Sequence, residues 1–137
     1  MTVTNGIYVL VISISVDTRI DVGALDSINF VKGLYAYVGS AQSGLEKRLR
    51  RHLRKAKQKF WHIDYLLDDD NVQVLKVFRK EAGKLDECKV AKMINRKGFP
   101  IKGFGSSDCK CVSHLFKLEN HQILEELMRK TCMYFEY

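Results

Sequence analysis

Arg48 and His52 stand four positions apart and pair a permanent cation with a group that titrates near neutral pH. At about 3.6 residues per turn they stack on one face of a helix. That face borders the stripe Leu45, Leu49, Leu53, Ala56 and Phe60, so both side chains lean toward the body of the protein. Segment 44–60 holds eight of the chain's 23 lysines and arginines and one acid, Glu46. Like charges this close destabilise a helix slightly, which points to a polyanionic partner, phosphate above all. A solvated charged face is the plainer alternative. Arg50, Arg54 and Lys57 point away from the stripe and form an outer field. With Arg51, Lys55 and the Gly39-Ser40 pair just ahead of the helix, they are the candidate nucleic-acid contacts.

Three further groups stand out. Glu87 falls on the same helical face as Val90, Ala91 and Ile94. A carboxylate there points inward and needs a partner, such as a salt bridge with Arg48. If Trp61 to Leu66 is extended, His62 and Asp64 share one face of it. They are then either a functional pair or a structural corner, with His62 the stronger functional candidate. Cys109-x-Cys111-x-x-His114 brings three soft donors together. The spacing is not that of a standard zinc knuckle, and a fourth ligand has to come from Cys88, His121 or Cys132, so zinc is not the expectation here.

The elements that must position these residues read as follows. Residues 6–15 are β-branched and aromatic, a strand buried on both faces. Arg19 to Gly23 reads as a short strand and Gly23 to Asn29 as a loop. Leu34 to Val38 is a second firm strand. The basic helix runs from Leu45 to about Gln58, with Ser43 and Glu46 placed for a capping box. Val72 to Phe78 is a further strand and 84–95 a further helix. Gly103 to Cys111 is a loop of small polar residues that exposes backbone N–H groups. A strand over 115–118 and a helix from Asn120 to about Lys130 close the chain. This is an α/β (α+β) pattern with a small, mainly antiparallel sheet flanked by helices, and residues 1–137 form one domain.

The formal net charge is +7 with 28% charged residues, a balance that favours polyanions and argues against disorder. The longest apolar run, Ile7 to Ile14, falls well short of the roughly 20 residues of a spanning helix. No membrane association is expected. Four cysteines without a secreted disulfide pattern suggest a reducing, cytoplasmic setting.

Gly6-Ile7-Tyr8 and Tyr37-Val38-Gly39-Ser40-Ala41, followed by Glu46-Lys47-Arg48 and then His52, resemble the GIY-YIG nuclease superfamily. Trp61-His62-Ile63-Asp64-Tyr65-Leu66, Phe104-Gly105-Ser106-Ser107-Asp108-Cys109, Cys111 and Ser113-His114-Leu115 extend the likeness to one branch of it, over residues 6–118. Members of that branch occur alone or fused to an endonuclease III-type repair enzyme. Twenty-eight residues separate Tyr8 from Tyr37. That connection is longer than in better-studied members, and its insertion adds a hairpin or reshapes the mouth of the site.

The resemblance implies cleavage of DNA phosphodiesters, in a repair setting, with Mg or Mn as cofactor. It casts Tyr8 and Tyr37 as phenols near the attacking water and Arg48 as the phosphate clamp. Glu87 becomes the metal ligand, with Glu81 as its substitute. A tyrosine with pKa near about 10 is a poor base, so it needs a nearby metal or Arg48, or a hydrogen-bond chain. His52 has the better-suited pKa. Gly39 permits close approach. A late asparagine is also implied, for which Asn95, Ser107 and Asp108 are candidates. Two other classes stay open: a non-catalytic nucleic-acid-binding module and a basic protein-interaction domain. RNA as the polyanion and the oligomeric state are open as well.

Overall fold

The computed structural model describes residues 5–54, 58–107 and 109–135. In chain order the elements are β1 (Gly6–Ile14), β2 (Thr18–Asp21), β3 (Ser27–Phe30), β4 (Gly33–Ala41), α1 (Leu45–Leu53) and α2 (His62–Leu67). They continue with β5 (Val72–Lys80), α3 (Leu85–Asn95), β6 (Phe99–Pro100), β7 (Leu115–Leu118), α4 (His121–Lys130) and β8 (Tyr134–Phe135). Six strands form one antiparallel sheet in the order β6-β7-β4-β1-β5-β8, and β2-β3 make a separate hairpin.

β1 is an inner strand with a partner on each edge and helices on each face, which is why it reads as a continuous apolar run. Its side chains alternate between two cores. Tyr8, Leu10, Ile12 and Ile14 pack with Leu45 and Leu49 of α1 and with Ile63, Leu66 and Leu67 of α2. Ile7, Val9 and Val11 pack on the other side with Val90, Ala91 and Ile94 of α3 and with Leu124, Leu127 and Met128 of α4. Each fully buried Val, Leu, Ile or Met side chain among these contributes about 1.5–3 kcal/mol of transfer free energy. No helix among the described residues is long and apolar enough to cross a membrane.

Several local expectations are corrected. The short strand expected from Arg19 is β2, but the stretch expected as a loop holds β3, so the insertion is the hairpin β2-β3, whose Ile20 and Phe30 join the α2-side core. Its connecting turn places Gly23 at φ +54° against the Tyr65 ring, so the insertion packs on α2. It extends the core and contributes no wall to the cleft described below.

α1 begins without a cap from Ser43. Gly44, in the left-handed region at φ 70°, starts it. It also ends early, since Arg54 is extended. Leu53 and Phe60 are exposed and do not continue the core stripe. Lys55, Ala56 and Lys57 lie outside the described residues.

The segment Trp61 to Leu66, considered as extended, is instead helical from His62. Asp64 dictates this, because its carboxylate accepts the N–H groups of Phe60 (2.8 Å) and Trp61 (2.9 Å) where the helix begins. Two positions on a helix are about 200° apart, so His62 and Asp64 diverge. They form no catalytic pair.

Candidate active site

β7 covers β4 only from Leu34 to Tyr37. One residue further the Val38 N–H still reaches the His114 carbonyl (2.9 Å). Gly39 and Ser40 then form an open lip. On one sheet face of this lip stand Tyr8 and Tyr37. On the other, Ser40 meets Glu87 of α3. Gly39 lies directly across from Tyr8 in the β1-β4 register, and a β-carbon on it would overlap the Tyr8 ring. Its smallness therefore makes room for the phenol in the first place. Gly39→Ala is expected to cost about 1–3 kcal/mol by overpacking, read as a lower thermal midpoint. An unchanged midpoint would show that the Tyr8 ring has somewhere else to go.

Tyr8, Tyr37, Arg48, His62 and Glu87 all line one cleft of about 630 Å³. Arg48 comes from the middle of α1. Its Nη1 donates to the Ser40 carbonyl (3.0 Å), and its guanidinium lies over the Trp61 ring, 4.5 Å from the centroid. Behind the cleft, His52 is buried with Nε2 2.7 Å from the Tyr8 hydroxyl. The helical pairing of Arg48 and His52 is thus reproduced with divided roles. Arg48 faces the opening, while His52 lies behind it against the Tyr8, Tyr37 and Trp61 rings.

Both phenols are hard to ionise. Burial pushes Tyr8 well above its ordinary value of 10.0, against the pull of the Arg48 guanidinium. Burial also raises Tyr37, reinforced by Tyr8, Glu87 and Asp64. Burial thus favours the neutral hydroxyl in both, and the contact with His52 gives Tyr8 a hydrogen-bond chain.

His62 is a different case. Its Nδ1 accepts the Gly105 N–H (2.8 Å), which leaves its proton on Nε2. Burial lowers its pKa. At neutral pH it is a neutral donor at the cleft wall. Gly105 sits at φ +71°, close under Tyr37, a conformation that favours glycine.

The inward carboxylate of Glu87 is paired with His114, and not with Arg48. Ser40 Oγ donates to Glu87 Oε1 (3.0 Å), and His114 Nδ1 lies 3.0 Å from Oε2. Burial disfavours charge on His114, but its bonds with Glu87 and Cys109 outweigh this and raise its pKa. Each carboxylate oxygen has two acceptor sites, so Glu87 keeps capacity toward the cleft. One carboxylate, with phosphate and water oxygens for the rest, suits Mg or Mn. Glu81 is exposed and is not among the cleft residues.

Arg51 is the main correction among the expected phosphate contacts. It grips Asp64 with two bonds (2.8 and 2.9 Å), donates to the Gln58 carbonyl (2.9 Å) and lies over the Trp61 ring at 4.4 Å. Its charge is spent inside the protein. Burial pushes the Asp64 carboxyl up, but Arg51 and the N–H groups of Trp61 and Phe60 hold it below 3.8. Arg50, on α1, and Arg54, just past its end, are exposed, as an outer field requires, while Lys55 lies outside the described residues.

Asn95 is exposed at the end of α3, away from the cleft. Ser107 lines the cleft, and Asp108 lies outside the described residues. Trp61, Gln42 and Lys84 also line it without having been anticipated. Only Trp61 carried a signal, an aromatic at the end of a run of cations that it then stacks against.

Among the comparisons with known proteins, the family model described as "Domain of unknown function DUF123" matches residues 7–135. No curated protein and no solved structure matches the chain.

Proposed function

This chain belongs to the family described as the domain of unknown function DUF123, and we propose that it is a metal-dependent endonuclease of the GIY-YIG type that cuts DNA phosphodiester bonds. The observation that carries this reading is the convergence of Tyr8, Tyr37, Arg48 and Glu87 on one cleft. Simple binding of a polyanion needs neither two buried phenols nor an inward carboxylate.

Glu87 would hold a Mg or Mn ion, which supplies Lewis acidity at the scissile phosphate. The chain's own groups do the rest. Arg48, fixed by Ser40 and Trp61, places its positive charge where the phosphate gains charge during attack. Tyr37 donates its hydroxyl hydrogen to a phosphate oxygen or the attacking water. Tyr8 takes the proton of that water on its oxygen as its own proton passes to His52 Nε2, 2.7 Å away. The proton thus ends on an imidazole, and the buried phenol never has to persist as a phenolate; as the new P–O bond forms, the bond to the leaving sugar oxygen breaks, and that oxygen takes its proton from solvent at the mouth of the cleft. His62 Nε2–H is a further neutral donor at the wall. Phe60, two-thirds exposed at the cleft, offers a face on which a displaced base can stack.

The outer field has its own signature. Arg50→Ala is expected to weaken DNA binding similarly for all sequences and to reduce the salt slope by about 1. A salt slope equal to that of the unaltered chain would remove Arg50 from the phosphate contacts.

The engagement of Glu87 by Ser40 and His114 favours one competing reading, a binding module that keeps the cleft without using it. Incubation with branched, nicked and single-stranded DNA, with magnesium or manganese, separates the two. Cleavage that disappears in Arg48→Ala supports the nuclease. Binding without cleavage on every substrate supports the module, and cleavage that survives in Arg48→Ala counts against this site.

A further inference from the structure

The loop between β6 and β7 carries Gly105 and Ser107 to the cleft and is closed at its base by backbone bonds from Ile101 N–H to the Leu115 carbonyl (2.9 Å), Gly103 N–H to the Val112 carbonyl (2.8 Å) and His114 N–H to the Phe104 carbonyl (2.8 Å). Beside it the structure supplies a fourth donor for the incomplete set Cys109, Cys111 and His114. It is Cys88 of α3, immediately after Glu87. One ligand atom from each of Cys88, Cys109, Cys111 and His114 lies within 4.8 Å of every other. Four donors around one tetrahedral zinc, at about 2.3 Å for sulfur and 2.0–2.1 Å for nitrogen, stand roughly 3.5–3.8 Å apart. Cys109 Sγ and His114 Nε2 are already 3.3 Å apart.

The other nitrogen of His114 completes the argument. Nδ1 faces the Glu87 carboxylate at 3.0 Å and the Val38 carbonyl at 3.2 Å. A metal-binding histidine usually presents its second nitrogen to a carboxylate or a backbone carbonyl, which fixes the ring and its tautomer. His114 is buried and held in that orientation. Thiolates with one imidazole select a soft cation, in contrast to the lone carboxylate that faces the cleft.

We propose that Cys88, Cys109, Cys111 and His114 form a closed, structural zinc site that fastens the β6-β7 loop to α3 and sets the Glu87 carboxylate through His114. On binding, the three thiols release their protons to solvent and His114 offers its Nε2 lone pair, with its proton kept on Nδ1 toward Glu87. With four protein ligands no position is open for substrate, so the ion orders the loop and takes no part in chemistry. The site stands whether or not the cleft cuts DNA. It places Gly105 and Ser107 beside Tyr37 and turns Glu87 toward the opening.

The test uses the full chain, purified under reducing conditions without chelator, and elemental analysis after dialysis. About one zinc per chain is expected. Cys132→Ser, outside the cluster, keeps the metal, whereas Cys88→Ser and Cys111→Ser lose it. Because those two variants can fail to fold, cobalt added to the reduced, metal-stripped wild-type chain gives an independent readout. A tetrahedral cobalt spectrum with thiolate charge-transfer bands, bleached by zinc, is the expected result. Three outcomes each overturn the proposal: an octahedral cobalt spectrum or no uptake by folded, reduced chain; an iron–sulfur chromophore; or a disulfide among Cys88, Cys109 and Cys111 in metal-free chain as purified.

Discussion

Glu87→Gln is expected to reduce DNA cleavage by at least about 10²-fold while leaving binding within about threefold, since a catalytic metal contributes several kcal/mol to the transition state and much less to ground-state binding. The substitution keeps the shape of the side chain and an oxygen that can accept the Ser40 hydroxyl. It removes the charge that would hold a divalent cation. It also sets an amide N–H₂ against His114 Nδ1, where the carboxylate had accepted. The cleft therefore loses its anion without losing its walls. Arg48→Ala should differ, weakening binding and cleavage together, because a guanidinium meets phosphate in both states. Cleavage rate, DNA affinity and magnesium dependence measured on both variants separate these expectations. Wild-type cleavage by Glu87→Gln would sink the metal role, and equal losses of binding in the two variants would sink the division of labour.

The site was legible to different depths for different physical reasons. Arg48 and His52 emerged from helical period alone, because four positions is one turn and the leucines beside them mark the inner face. Glu87 was sought because the resemblance calls for a glutamate, and the helical period of α3 marked its face as inward. Tyr8 and Tyr37 carried no periodic mark of function, and their candidacy came from the resemblance. What unites them in space is the pairing of Tyr8 with Gly39 across β1 and β4. Charge counting failed at Arg51, since composition does not say which cation meets an internal partner, and Asp64 is 13 residues away. Trp61 to Leu66 misled because six residues of mixed apolar character fit a strand as well as a short helix. What decided it was the capture of two backbone N–H groups by one carboxylate. The partnership of Cys88 with Cys109 was one of three options the sequence left open, for another reason. It depends on α3 packing against a distant loop, which no local spacing encodes.

Arg51→Ala is expected to destabilise the fold by about 3–5 kcal/mol, the range for removing one partner of a buried ion pair. That is a large part of the roughly 5–15 kcal/mol that holds a domain. The two partners are not equivalent. The Asp64 side chain is 0% exposed and that of Arg51 is 18% exposed. An orphaned Asp64 stays buried, with only the Phe60 and Trp61 N–H groups to hold its charge. An orphaned Arg51 can turn to water, although Asp64→Ala also frees those two N–H groups. Denaturant unfolding should therefore rank Arg51→Ala as the worse single change. The double variant Arg51→Met, Asp64→Leu should recover part of the loss, because it leaves no buried charge unpaired. Asp64 has a folded pKa below its unfolded value of 3.8, so its contribution is present above that value and is lost as pH falls through the lower, folded one. Wild-type stability should thus fall in acid below about pH 4, and Asp64→Asn should lack that share of the slope. An unchanged slope in Asp64→Asn, or a double variant worse than Arg51→Ala, would show that the pair is not what anchors α2. The same pair reaches the cleft. Arg51 and Arg48 both lie against Trp61, whose ring also neighbours His52 at 6.0 Å. Loosening Asp64 thereby frees the surface against which the Arg48 guanidinium rests. In Asp64→Asn chain that is still folded, cleavage should fall further than the folded fraction does.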